Sequence, residues 1–425
     1  MRRGGSVSLR SAPVSTTSCS PAPHPLAVVA ALADDVDVVV VRDGPRTVVA
    51  VAPSARIVCS GAEALAALDH LDTGWWAGWL AYDLGRAVES VKERTVDDLG
   101  VPDLALARFD ARLVFEPCGG GWDVTCAGEG PAREILERAL GAAPTTVVHT
   151  EPGLGPWRSS LDRPDFEAGV RAVVEMLRSG ECYQVNLTRR LECDREADPV
   201  TLYGALALHN PSPHAALVRL AGWSVVSASP ELFLRRDGDI VETRPIKGTA
   251  PDAPSLLASA KDRAENVMIV DLARNDLGRV CEYGSITVPD LCGVERHPGL
   301  HHLVSTVRGR LAPGTTTGSL IAATFPPASV TGAPKPRVLQ AIEDLEPVRR
   351  GVYCGAVGWI DETACRASLN VAIRTFTVGG GRTLLGVGAG IVADSDPAAE
   401  WDETELKAAR LLHAAGLGAF AGTRS

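Results

Sequence analysis

The sequence predicts an α+β fold, antiparallel β-sheets packed together with helices outside. Three observations predict it. "ELFLRRDGDIVETRPI" (231–246) reads as two strands around Asp237-Gly238, a strong hairpin signal. "GAVGWIDE", "SLNVAIRTFTV" and "RTLLGVGAGIVAD" then follow one another as strands, so hairpins dominate over βαβ units. No internal repeat is present, which leaves a single large domain or two domains for 425 residues.

Taken in order, the first 25 residues lack acids and are rich in Ser, Pro and Arg. They read as a disordered start, with a targeting peptide as the alternative. "LAVVAALA" runs into "DVVVVRDG" as a helix leading into a strand, and "ARLVFEP" is a further strand. "GWWAGWLAYDLG" (74–85) is aromatic and Gly-rich, as in a strand packed closely on a neighbour. "PAREILERALGA" is a helix with Pro at its start and Gly at its end, and 141–156 reads as a linker. In "RPDFEAGVRAVVEMLRSGE", Phe166, Val170, Val173, Val174 and Leu177 make one helical stripe. "CYQVNLTRRLEC" is a strand and "KDRAENVMIVDLARNDLGRV" a helix. "DPAAEWDETELKAARLLHAAG" closes as a helix, capped by Asp396 with Pro397 at its first position.

Composition limits the function. Residues are 45% hydrophobic and 22% charged, as in an ordinary globular protein, and the net charge is −10. That balance argues against nucleic acid and against docking on anionic lipid. No run reaches transmembrane length. Ten cysteines without CxxC spacing argue against a zinc or redox motif and read as reduced, cytoplasmic thiols.

Several residues could carry chemistry. Lys247 in "VETRPIKGTA" stands between Ile246 and Gly248, where an ammonium is costly unless paired or neutralised. Glu400, Glu403 and Lys407 share one helical face. The face is either a solvated Glu–Lys pair or a metal ligand beside a cation. Gly386, Gly388 and Gly390 lead into it and let backbone amides approach a ligand. Glu265 is a second helical carboxylate of the kind that suits Mg²⁺. His301 and His302 stand before a strand, as structural residues or as a base. Thr331 and Gly332 could serve an anion at a helix start or act as ordinary capping residues.

Together, "CYQVNLT", "SASPELFL", "TRPIKGT", "KDRAENVMIVDLARNDLGRV", "HHLVSTV", "SVTGAPKPR", "AIRT" and "GAGIVADSDPAAEWDET", in that order, resemble the chorismate-utilising enzymes. That family includes the anthranilate, aminodeoxychorismate, isochorismate and salicylate synthases. The resemblance is strong from about 162 to 415 and implies the chorismate-binding, anthranilate synthase component I-like fold. It implies an N-terminal part over 26–150 and a catalytic region over 160–418, both intertwined in one domain.

Lys before Gly-Thr in "PIKGT" resembles the aminodeoxychorismate branch, where anthranilate synthases carry Ala. Gln184 stands where isochorismate and salicylate synthases keep a water-activating Lys, which implies ammonia as nucleophile. The resemblance thus implies a Mg²⁺-dependent, transaminase-type amination of chorismate toward 4-aminobenzoate and folate. In it Lys247 is the nucleophile and Glu231 the acid and then the base, and His302 is a catalytic residue of the pocket. Glu265, Glu403 and nearby Glu400 hold Mg²⁺. Tyr353, Arg374 and Lys407 hold substrate carboxylates, and Thr249, Thr331, Gly332, Gly388 and Gly390 line the pocket. It also implies a separate glutaminase subunit, since no glutaminase segment is recognisable. Asp252 after "GTAP", "FPPAS" (325–329) and the absence of Asp-Thr in "SLNVAIR" depart from the family pattern. The alternatives are an anthranilate synthase large subunit and a non-catalytic chorismate-binding regulatory subunit.

Overall fold

A computed structural model describes residues 23–32, 36–118, 121–143, 154–250, 252–297 and 300–416. Residues 1–22 of the polar start and residues 144–153 of the expected linker lie outside them.

The described residues form two sheets in which every strand pairing is antiparallel. The eleven-stranded sheet runs from Gly332–Ala333 through Gln184–Cys193, Arg382–Ile391, Thr375–Gly379, Trp223–Ser229 and His214–Leu220 to Val38–Asp43 and beyond. The ten-stranded sheet runs from Ile246–Ala250 through Leu300–Arg310, Ile240–Arg244, Leu232–Asp237, Arg366–Val371 and Ala356–Asp361 to Trp75–Leu80 and beyond. Strands from before residue 130 and after residue 180 share both sheets.

Val38–Val41 show why a run of four valines makes a strand here. Successive side chains point to opposite faces. Val39 and Val41 pack between the sheets with Trp75, Trp79 and Phe109, while Val38 and Val40 pack outward under helices. A strand covered on both faces needs apolar residues at every position, and each large side chain buried this way contributes roughly 1.5–3 kcal/mol. The outer layer over these valines supplies Val28, Leu136, Leu202 and Leu411. A second layer supplies Phe166, Val270, Leu320 and Val338 from four other helices.

The helix Arg163–Arg178 buries Phe166, Val170, Val173 and Val174, and Leu177 is half-buried at the edge of the stripe. Helix Pro397–Ala414 starts as its sequence predicts, with the Asp396 side chain accepting from the Ala399 amide at 2.9 Å. Among the described residues no helix is long and apolar enough to cross a membrane.

The structure corrects two readings. His301 and His302 lie inside the strand Leu300–Arg310, not ahead of it. The run "SLNVAIRTFTV" is two strands in different sheets, Arg366–Val371 and Thr375–Gly379. Both halves are apolar because both are buried, so the pattern hides the break. Arg374 turns the chain at φ +50°, a left-handed conformation uncommon for a residue with a Cβ.

A second crossing lies beside the first. Strand Trp223–Ser229 of one sheet passes through Pro230 and Glu231 into Leu232–Asp237 of the other. Two backbone hydrogen bonds tie the crossings together. The Val371 amide donates to Glu231 O and the Ala228 amide to Arg374 O, each at 3.0 Å. Glu231 and Arg374 are thereby held where the sheets exchange strands.

Candidate active site

Lys247 is set by its strand. Pro245 ends the preceding strand, and Ile246–Ala250 pairs with Leu300–Arg310, with Lys247 opposite Leu303 and Thr249 opposite His302. The register slips between Lys247 and Thr249, where Gly248 takes φ +82°. Lys247 Nζ donates to Ser329 O at 3.4 Å. Burial pushes its pKa below that of an ordinary lysine. The carboxylates of Glu265, Glu231 and Glu403 oppose the shift and Lys407 adds to it.

Glu231 is 4% exposed. Burial pushes its pKa up to about 7, against the Ser329 hydroxyl, the Lys247 charge, the Ile246 amide and Arg374. A carboxyl that titrates near neutrality can both give and take a proton under the same conditions. Arg374 is half-buried, and among the described residues no side-chain hydrogen bond or ion pair engages its guanidinium. Burial and the neighbouring Arg410 lower its pKa, while Glu231 raises it. The arrangement leaves a cation facing the acid and available to an anionic ligand.

The strand Arg382–Ile391 forms the floor. Gly386, Gly388 and Gly390 fall on one face at alternate positions. The Tyr353 ring occupies the space a side chain at 386 would need. Gly388 faces the Thr188 methyl, and its carbonyl accepts from Lys407 Nζ at 2.9 Å. A Cβ at 390 would lie 2.5 Å from Gln184 Nε2 and 3.6 Å from Lys247 Nζ. Four extended residues span about 13 Å, so Tyr353 and Lys247 stand near opposite ends of this glycine face. Gln184 is fully buried, and among the described residues neither its Nε2 nor its Oε1 has a hydrogen-bond partner. An orphaned buried amide beside Lys247 calls for a ligand to satisfy it.

The predicted carboxylates separate into two roles. Burial raises the Glu265 pKa, and Glu403 adds to the shift while Lys247 and Lys261 oppose it. Glu265 and Glu403 are therefore near enough to act on each other's charge, and both act on Lys247. Glu400 is buried and accepts from Ser395 Oγ at 2.6 Å. Among the described residues no three His, Cys, Asp or Glu side chains form a group that could hold a metal. The Glu400/Glu403/Lys407 face holds the Glu–Lys pair, with Lys407 Nζ 2.7 Å from the Glu403 carboxylate.

The remaining expectations divide in the same way. His302 is buried, with Nδ1 3.0 Å from Thr249 Oγ1. Thr331 and Gly332 do not open a helix, because that helix begins at Lys335. The Thr331 hydroxyl is spent on Pro327 O at 3.0 Å, and Gly332 pairs with Val185. Asp252 is a helix cap, accepting from the Ser255 amide at 2.8 Å. Asn370, in the altered "SLNVAIR", donates to His214 O at 2.7 Å.

Sequence reasoning missed Ser329, which bridges Lys247 and Glu231. It also missed a buried network behind the floor. Glu346 accepts from the Thr188 amide at 2.8 Å and from Arg350 Nη2 at 2.6 Å, and Arg350 donates to Asn186 O and Val330 O. The one sequence signal was the charged pair Glu346 and Arg350 four residues apart at the end of a helix.

A family profile described as chorismate binding enzyme matches residues 33–413. The chain is 40% identical over 347 residues to aminodeoxychorismate synthase component 1 of Klebsiella aerogenes, covering 79% of this chain and 76% of that protein. It is 38% identical over 357 residues to anthranilate synthase component 1 of Thermus thermophilus, covering 80% and 77%. The structure of anthranilate synthase component I from Streptococcus pneumoniae superposes with a TM-score of 0.76 at 27% identity, covering 87% of this chain and 92% of that one. The menaquinone-specific isochorismate synthase of Escherichia coli shares the fold at 19% identity, with a TM-score of 0.71 over 92% of this chain and 91% of that one.

Proposed function

The chain belongs to the chorismate binding enzyme family, and from that membership we propose that it aminates chorismate at C4, the reaction of the aminodeoxychorismate synthase component 1 relatives. The observation that carries this reading is Lys247. Its amine is desolvated, shares the space over Gly390 with the orphaned Gln184 amide, and is joined through Ser329 to an acid that titrates near 7.

The steps balance as follows. The neutral amine of Lys247 forms a bond to C2 of chorismate, the ring double bonds shift, and the C4–O bond breaks. The hydroxyl leaves as water with the proton of Glu231. Ammonia then forms a bond to C4, the double bonds shift back, and the C2–N bond breaks to release the lysine as amine. Glu231, now a carboxylate, takes the surplus proton from the new amino group and is ready for another turnover. Arg374 and Tyr353 grip a substrate carboxylate, Arg374 with the fork geometry that suits one. Gln184 cannot deprotonate water, which disfavours hydroxylation.

Glu265 and Glu403 fit a Mg²⁺ ion. They are two carboxylates near Lys247, Glu265 partly desolvated with its pKa raised by burial, and this metal takes one or two protein carboxylates with waters and substrate oxygens. Glu400 is spent on Ser395 and would stand behind them. When bound, the ion would neutralise the ring carboxylate of the substrate. Glu403→Gln should therefore raise the Mg²⁺ concentration for half-maximal activity by about tenfold. Matching titration curves for the two proteins would remove Glu403 from the metal site.

Ammonia is supplied by a separate glutaminase subunit in this reading. The chain alone should aminate chorismate with ammonium salts, faster as pH rises toward the ammonium pKa, and should not use glutamine. Adding the glutaminase subunit should make glutamine the better donor. Robust glutamine use by the purified chain, free of contaminating glutaminase, would refute the two-subunit reading. Product mass separates 4-amino-4-deoxychorismate from anthranilate, the fluorescent product expected of the anthranilate branch.

A further inference from the structure

Beside Glu231 lies a cavity of about 30 Å³ that Lys247 does not line. It has room for one or two molecules the size of water or ammonia. Glu231 and Ser329 form the end nearest Lys247, whose Nζ donates to Ser329 O and whose charge acts on Glu231. Its long wall is the helix Ala260–Gly278, whose Ile269, Ala273 and Leu277 face it over two turns, about 12 Å of helix. Phe233, Leu234 and Val371 from the ten-stranded sheet close the opposite side. Asp276 and Thr324 form the far end. There Lys335 Nζ reaches Asp276 at 3.1 Å and Thr324 O at 3.2 Å, with the Lys335 and Asp276 side chains 10% and 11% exposed.

The chemistry of the walls selects the occupant. An ammonium ion would lose its hydration against apolar groups at a large cost, whereas neutral ammonia crosses cheaply. Chorismate, a dianion with a ring, does not fit. The polar groups at the near end are the carboxylate that must take a proton from the incoming nitrogen and a hydroxyl beside it. We infer that this cavity is the terminal binding pocket for neutral ammonia, which approaches Glu231 from the side of the 260–278 helix while chorismate occupies the side of Lys247. The inference rests on the amination reading and deepens it, since it separates the routes of the two substrates.

Filling the cavity tests it. Ala273 lies on its wall and takes no part in the chemistry. Ala273→Val and Ala273→Leu add volume in two grades, so the milder variant reports if the larger one folds poorly. Wild-type and variant chains would be compared with ammonium chloride as donor at one pH, with the product read by mass. The KM for ammonia should rise about tenfold in Ala273→Leu and less in Ala273→Val, with the KM for chorismate unchanged. A KM for ammonia that stays at the wild-type value in either variant with an unchanged melting profile overturns the pocket and leaves the amination reading standing. Equal rises in both KM values also overturn it, since they report a general distortion. If the wild-type chain forms no aminated product, the amination reading falls and the pocket falls with it.

Discussion

Lys247→Ala should lose chorismate amination by a factor on the order of 10³ or more, because removing a covalent nucleophile removes the route and not one contact along it. The same change should leave the melting temperature equal or higher. Burial holds the Lys247 pKa below the ordinary value, so its charged form is disfavoured in the folded state. The sign follows: a group whose folded pKa is depressed below the unfolded value weakens the fold increasingly as pH falls through the unfolded pKa. At neutral pH the native lysine is therefore a cost that alanine removes. Its loss should also push the Glu231 pKa further up, since the Lys247 charge lowers it. The measurement is ammonium-dependent product formation beside a thermal scan. Wild-type rates from a normally folded Lys247→Ala chain would mean that ammonia attacks the ring directly.

The odd placement of Lys247 was legible in sequence because a charged residue in an apolar strand is itself a signal, whereas Glu231 was singled out only through the family resemblance. Capped helices were equally legible: Asp396 and Pro397 announce the last helix, and the structure starts it there. Helix Pro199–His209 carries the same Asp-Pro start at Asp198 and Pro199 but no helical period to extend it. It is apolar on every side, with Leu202, Tyr203, Ala205 and Leu206 all buried, so no period of 3.6 stands out. The sheet exchange at Ala372–Arg374 was hidden for a related reason, since both strands are buried and their hydrophobic runs join without a turn residue. Strand order was out of reach, because pairings such as Val38–Asp43 with His214–Leu220 join segments far apart in the chain. Glu400 shows what spacing leaves out. Helical spacing places it beside Glu403, and the structure adds the Ser395 hydroxyl on one carboxylate oxygen, a partner just ahead of the helix that spacing does not show.

Glu231→Gln should lower amination by roughly 10²–10⁴-fold, the span of a lost general acid–base residue. The group must be protonated for the C4 hydroxyl to leave and ionised to take the proton of the incoming ammonia. With a pKa pushed up to about 7, the wild-type rate at constant free ammonia should therefore fall on the alkaline side of an apparent pKa near 7 if loss of the hydroxyl limits turnover, and on the acid side if amination does. A flat profile across pH 6–8, or near-normal turnover by Glu231→Gln, would remove the carboxyl from the reaction. Stability gives an independent reading of the same group. Its folded pKa lies above the usual carboxylate value, so between about 4.5 and 7 the folded chain holds a proton that the unfolded chain has released. Stability from this group is complete below that window and is lost as pH rises through it, by up to about 3 kcal/mol. Gln cannot titrate, so the melting temperature of Glu231→Gln should gain on that of the wild type as pH rises from 5 to 7.5. A constant difference across that range would show that Glu231 is not held in the desolvated state its chemistry requires.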